Sequence, residues 1–346
     1  MKQQTSFREA ISLGLRDSMR EDPRVFVFGL DVADHKRIMG STVGVLEEFG
    51  SGRIFGTPIS EDAMTGVALG AAVSGLRPVH VHIRADFMLL GMNQIVNMIS
   101  TVRYNSGGRL KVPMVIRAVI GRGWGQGAQH SKSLHGVFAH FPGLKVVMPT
   151  TPQDAYSLLR TSIADDNPVI FLEHRWFYDI KGDVDTEIKY PLGKALVRRE
   201  GQDVSLICTS WMTVEALKAA ELLERQGISV EVVDVRSIQP LDEATIATSV
   251  NKTGRCVVLD YDWSFSGFSG ELAAVVGEKC FGRLKAPVTR IGFQPAPCPT
   301  TRPLENQYFP SAPIIIRKVE EMLGKAPMDL SREEFYTYEK RFRGPF

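Results

Sequence analysis

Within GWGQGAQHSKSLHGVFAH, residues 123–140, three histidines recur at five-residue steps: His130, His135 and His140. Imidazole serves either as a metal ligand or as a proton carrier near neutral pH, so the spacing has to choose between chemistries. On a helix, five residues turn the chain by about 500°, which leaves successive rings roughly 140° apart. On a strand, an odd step sends neighbours to opposite faces. Neither arrangement gathers three rings round one ion, and no HExxH or Cys/His pairing stands nearby. Gly121, Gly123, Gly125 and Gly127 instead suggest a closely approached loop that delivers one histidine. His130 then reads either as a solvated loop side chain or as a catalytic group under a closing loop. His135 and His140 precede apolar, helix-like stretches and read as structural.

Glu61, in TPISE, stands where a Pro-containing turn gives way to a helix of small residues. It is either a helix cap or a buried carboxyl used in proton chemistry. Phe87, in RADFMLLGMNQ, has core packing as its plain reading. A phosphate cradle is missing: GLDVADHKRIMG after the first strand offers only Gly29 and Gly40, and there is no GxxxxGK[ST]. GRGWGQG carries alternating glycines but opens no clear helix, which makes it a weak nucleotide signal.

The elements that must position these groups alternate. Helix patterns at 5–20, 62–76, 91–108 and 152–164 interleave with apolar strands at 24–32, 53–61, 77–83, 111–121, 144–149 and 167–174. Such alternation predicts an α/β fold with a mainly parallel sheet covered on both faces. The helix at 62–76 is rich in Ala, Gly and Ser, so it serves close approach to a neighbouring helix, a second subunit or a ligand. Residues 181–200 are polar, with scattered Gly, Pro and Asp, and read as a linker between domains 1–180 and 201–346. The second domain repeats the alternation, with strands in DVSLICTS, ISVEVVDVRSI, RCVVLDY and PVTRIG. Its helices fall at 213–226, 242–250, 269–281 and 311–323, and an irregular Pro-rich stretch spans 296–309.

Composition narrows the function. The 346 residues suffice for two cores, and 44% hydrophobic with 23% charged residues is the balance of a soluble globular chain. A net charge of +2 without a basic stripe speaks against nucleic acid. No signal-peptide core or run of membrane-spanning length appears, and the four separated cysteines read as reduced thiols, so a cytoplasmic location is expected.

TPISEDAMTGVALGAAVSGLRPV, DFMLLGMNQIVN, YNSGG, GAQHSKSL and PGLKVVMPTTPQDA follow one another through the first domain. Together they resemble the β subunit of the thiamine-dependent decarboxylating component of 2-oxo acid dehydrogenases. DVRSIQPLD in the second domain resembles the carboxy-terminal domain that these subunits share with transketolases. The resemblance implies two three-layer α/β domains, a pyrimidine-binding fold followed by a transketolase C-terminal-like domain. It also implies thiamine diphosphate held between two chains. An α subunit with a GDG motif would hold the diphosphate and Mg2+, in an α2β2 heterotetramer, and a lipoyl acyltransferase would receive the acyl group. By the same match Glu61 bonds the aminopyrimidine ring nitrogen, Phe87 stacks on the pyrimidine with Ile59 beside it, and His130 lies near the reacting carbon.

A monovalent cation, K+, found in some relatives would fall at Met114, Ser162, Ile163, Asp165 and Asn167. His80, His82 and Arg84 in VHVHIRADF, with Arg122 and Trp124 in GRGWGQG, depart from the family pattern. They suggest a more polar substrate bound by Arg84, Arg122 and His82, or else pairing of the arginines with carboxylates of the partner chain. The alternative to a dehydrogenase subunit is half of a split transketolase that moves a two-carbon ketol unit between sugars.

Overall fold

A computed structural model describes residues 2–122 and 125–335; the Gly123 and Trp124 of the glycine-rich loop lie outside the described residues. In chain order the strands are β1 (Lys2–Ser6), β2 (Val25–Gly29), β3 (Ile54–Gly56), β4 (Arg77–His82), β5 (Val115–Ile120), β6 (Lys145–Val147) and β7 (Val169–His174). They continue as β8 (Lys181–Asp185), β9 (Leu196–Arg199), β10 (Val204–Cys208), β11 (Val230–Asp234), β12 (Ser237–Gln239), β13 (Cys256–Trp263) and β14 (Thr289–Phe293). Two compact units divide the chain: residues 1–121, 130–193 and 237–240 in the first, and 122–129, 194–236 and 241–346 in the second.

The first unit is built on a seven-stranded sheet in the order β12-β6-β7-β5-β4-β2-β3. Every pairing in it is parallel except β12 with β6. All six residues of β5 and of β7 are buried, as a central strand covered on both faces requires. Helix Phe7–Glu21 begins at a capping box, in which the Ser6 hydroxyl accepts from the Glu9 N–H and the Glu9 carboxylate accepts from the Ser6 N–H. Its buried residues Phe7, Ala10, Ile11, Gly14, Leu15 and Ser18 recur at three- and four-residue steps. They meet helix Pro152–Ala164, whose own box is Thr151 with Asp154. A Cβ at Gly14 would stand 3.2 Å from the Tyr156 carbonyl, so glycine sets how closely these two helices approach.

The second unit carries a five-stranded sheet, β14-β13-β10-β11-β9, parallel except for the edge strand β9. Its helices Met212–Glu224, Glu243–Thr253, Phe268–Cys280 and Ala312–Leu323 lie within three residues of the expected positions. On the last of these, Ala312, Ile315, Ile316 and Val319 form the buried stripe packed against helix Met212–Glu224. All four cysteines are buried free thiols. No helix among the described residues is long and apolar enough to cross a membrane.

Four local expectations change. The stretch read as one strand, 228–238, is two strands, because Arg236 takes φ 52° between them and β12 joins the first unit's sheet. The helix expected over 91–108 becomes a 3-10 turn (Leu89–Gly91), a π-helix (Asn93–Ile99) and a last α-turn (Val102–Asn105). There the hydroxyls of Ser100 and Thr101 donate to the carbonyls of Val96 and Asn97 and compete with the regular ladder. The region expected to be irregular, 296–309, contains helix Arg302–Tyr308, with its proline in the first turn where no N–H is needed. The polar stretch 181–200 contains β8, which pairs antiparallel with β1 and buries only Val184, and the edge strand β9.

Candidate active site

In the first unit the chain turns back at β2: β3 pairs on one side of it and β4 on the other. The loops leaving the carboxyl ends of strands at such a switch point form a ligand crevice. Those loops carry the candidate residues. Glu61 follows β3, Phe87 follows β4, and His130 follows β5.

Helix Glu61–Val73 starts at Glu61 and buries Glu61, Thr65, Ala68, Leu69 and Ala72 along one side. The two readings of Glu61 turn on the contacts of its carboxyl. Its residue is 9% exposed, and no hydrogen bond or ion pair holds its carboxyl among the described residues. A capping carboxylate would accept from the helix's first N–H groups; this one accepts from none of them. Turn Leu89–Gly91 packs on the same helical turn, since a Cβ at Gly91 would meet the Thr65 Oγ1 at 3.1 Å and the Glu61 carbonyl at 3.4 Å. That contact draws the Phe87 segment against the start of the Glu61 helix. Ile59, just ahead, is 81% exposed.

Phe87 lies in the short helix Ala85–Met88, half-buried rather than packed in the core. The His130 ring meets it edge-on, with centroids 5.2 Å apart and planes at 88°. The Nδ1 of His130 is buried and has no hydrogen-bond partner among the described residues. An unpartnered buried ring nitrogen is costly unless a ligand or a proton-transfer partner completes it. The other two histidines go elsewhere: His135 is buried with its Nδ1 3.0 Å from the Ser133 hydroxyl, and His140 packs on Phe141. Between Phe87 and His130 runs a contact that sequence reasoning missed. Lys132 Nζ reaches the buried Asp86 Oδ1 at 3.0 Å.

His80 and His82 share one face of β4 and are fully buried, with ring centroids 4.4 Å apart. His80 stacks on Phe28 at 4.7 Å and lies 3.3 Å from the Thr65 hydroxyl. Burial pulls the His80 imidazole down to about 4, against a smaller upward pull from the Phe28 carbonyl. Burial, then the neighbouring His80, holds His82 well below the ordinary histidine value. Both rings are therefore neutral at pH 7, and the extra cationic character expected from them is absent. Arg84 is 1% exposed, and its Nη1 donates to the Gly121 carbonyl at 2.7 Å. Gly121 is obligatory here, with φ 85° and a Cβ position only 2.3 Å from the His174 Nε2.

Arg122 belongs to the second unit. Its Nη1 donates to the Asn306 side chain at 3.0 Å, and its guanidinium lies 5.0 Å from the centre of the Phe309 ring. The five candidate cation ligands are engaged by the protein itself. Arg77 Nη1 donates to the carbonyls of Ile163 at 2.9 Å and Asp165 at 3.0 Å, and Arg103 donates to the Asn167 side-chain oxygen at 2.6 Å. Lys145 and Asn167 hold the Asp165 carboxylate, the Met114 carbonyl accepts from the Val169 N–H, and the Ser162 carbonyl accepts from the Asp165 N–H. Three of the oxygens a K+ would use therefore already accept from Arg77 and Arg103. Among the described residues no three His, Cys, Asp or Glu side chains gather as a metal cage would require.

The family described as the transketolase pyrimidine binding domain matches residues 3–179, and the transketolase C-terminal domain matches residues 193–315. The 2-oxoisovalerate dehydrogenase subunit beta of Bacillus subtilis is 39% identical over 88% of this chain and 94% of its own length. The acetoin:2,6-dichlorophenolindophenol oxidoreductase subunit beta of the same organism is 39% identical over 94% and 98%. The pyruvate dehydrogenase E1 component subunit beta of Rickettsia bellii is 38% identical over 92% and 98%. A solved split gene transketolase, described as an inactive beta4 tetramer, shares the fold at a TM-score of 0.76 and 23% identity, covering 92% of this chain and 98% of its own. Two matched domains and full-length relatives at this level of identity place the chain in one family: it belongs to the transketolase-like β subunits of the 2-oxo acid dehydrogenases.

Proposed function

We propose that this chain is the β subunit of a thiamine-diphosphate-dependent 2-oxo acid decarboxylating component, working with an α subunit and passing the acyl unit to a lipoyl carrier. The observation that carries the reading is the grouping of a buried, unpartnered Glu61, a half-buried Phe87 and a His130 with an open buried nitrogen on loops at one switch point. When bound, thiamine diphosphate supplies a thiazolium carbon that adds to a 2-oxo carbonyl and takes up the electron pair left by departing carbon dioxide. Glu61 exchanges a proton with the aminopyrimidine ring nitrogen. Phe87 supplies a flat apolar face against the pyrimidine, next to Ile59. His130 holds or moves a proton beside the reacting carbon.

The diphosphate and Mg2+ are assigned to the α partner through its GDG motif, since this sequence has neither that motif nor a phosphate loop. K+ is not assigned to this chain, because Arg77 and Arg103 bond three of the candidate oxygens. Exposed small and apolar residues Ala63, Val67 and Gly70 on helix Glu61–Val73 suit subunit contact in an α2β2 assembly. Arg84 and His82, both buried, remain the candidates for contact with a polar substrate, with His82 acting as a neutral hydrogen-bonding ring. Arg122 is left to packing round helix Arg302–Tyr308.

The test is co-purification with a GDG-bearing α partner, followed by two donor panels with thiamine diphosphate and Mg2+. Carbon dioxide released from 2-oxo acids is the expected result. Aldose released from ketose phosphates, with no carbon dioxide, would make the pair a ketol transferase and overturn the reading.

A further inference from the structure

We infer that the Asp86–Lys132 ion pair is a clasp that sets the His130 loop against the Phe87 turn, making Lys132 a positioning residue for the reaction. The inference rests on the proposed roles of Phe87 and His130. Asp86 immediately precedes Phe87, and Lys132 follows His130 by two residues. The Lys132 Nζ to Asp86 Oδ1 contact at 3.0 Å and the Phe87–His130 ring contact at 5.2 Å therefore join the same two segments side by side.

An edge-on ring contact alone fixes little, because a ring can slide at small cost. Among the described residues just before His130, Gly125 has φ 54° and Gly127 φ 65°, and the regular structure is one three-residue turn, Gly127–Gln129. A chain of that kind has many conformations to lose on ordering. The placement of His130 needs a directional bond, and the ion pair provides one.

The Asp86 side chain is 4% exposed and Lys132 30% exposed. Lys132 is the one group bonded to the Asp86 carboxylate among the described residues, and the second oxygen, Oδ2, is buried without a partner. A buried carboxylate with a single cation holds that cation tightly, since releasing it leaves an uncompensated charge out of water. The clasp is asymmetric for this reason. The Phe87 turn carries the fixed charge, and the loop bearing His130 is drawn to it.

Lys132→Gln, Lys132→Arg and Asp86→Asn test the clasp in the full chain with its α partner. Hydrogen exchange of the amides at 128–134 is measured on the chain without cofactor, and kcat and KM for a 2-oxo acid on the complex. Lys132→Gln is expected to speed exchange in 128–134 and lower kcat by about 10²-fold, with KM little changed. Lys132→Arg is expected to restore slow exchange and most of kcat. Asp86→Asn, which removes the buried charge together with the bond, gives the same loosening should Lys132→Gln fail to fold. Exchange as slow as wild type in either charge-removing variant overturns the clasp, as does a loss that arginine leaves unrestored. If the wild-type complex releases no carbon dioxide, the proposed function fails instead, and the exchange data alone decide the clasp.

Discussion

Glu61 and His80 lie on neighbouring elements and are buried for opposite ends. Among the described residues the Glu61 carboxyl has no protein partner, and the proposed function gives it a ligand nitrogen. Glu61→Gln keeps the shape and removes the titrating proton. Turnover is expected to fall by about 10²- to 10⁴-fold with assembly intact, measured as carbon dioxide release beside light scattering. Unchanged turnover would remove Glu61 from proton transfer. His80 is a structural neutral ring, pulled down by burial to about 4. An unfolded histidine takes up its proton near pH 6.5, so the unfolded state binds more protons between about 6.5 and 4. The stability that this ring contributes is complete above pH 6.5 and is lost as pH falls towards 4, by about 3 kcal/mol for His80 alone. Denaturant unfolding of wild type and His80→Gln at pH 7 and pH 4.5 reads the difference. The variant is expected to lose less stability on acidification; an equal loss contradicts the account.

The elements that bring these residues together are tied by a buried charge. Arg117 of β5 and Glu173 of β7 are 0% and 1% exposed and meet at 2.6 Å. The Tyr178 hydroxyl donates to Glu173 at 2.8 Å, and Arg117 donates to the Ser41 hydroxyl at 2.9 Å, which anchors the loop after β2 to the sheet centre. Glu173→Gln would strand the Arg117 charge out of water, and about 3–5 kcal/mol of stability is expected to go with it. Guanidinium unfolding of the purified variant measures this, and a loss below about 1 kcal/mol would show the network to be dispensable. This network was not legible in the sequence, because Arg117 and Glu173 sit in apolar runs 56 positions apart and nothing local marks them as partners. The strands and long helices were legible, since periodicity and caps act within a few residues. The switch of 237–239 into the first sheet and the π-helix at Asn93–Ile99 were not, because each depends on tertiary contacts or competing hydroxyls.

For the whole molecule, the sequence carried the family through short ordered blocks and the fold class through alternation. Glu61, Phe87 and His130 were identified by resemblance, and the bare residue types left each open between packing and chemistry. What the sequence could not supply was the Asp86–Lys132 ion pair and the bonds of Arg77 and Arg103 to the candidate K+ ligands, both of which need the folded neighbours. The central claim is that this chain contributes the pyrimidine half of a shared site and no phosphate half. Calorimetric titration of thiamine diphosphate with Mg2+ into the chain alone, the α partner alone and the co-purified complex tests it most directly. Tight, magnesium-dependent binding is predicted for the complex, with weak or no binding to this chain by itself. A tight, magnesium-dependent complex with the isolated chain would contradict the shared site.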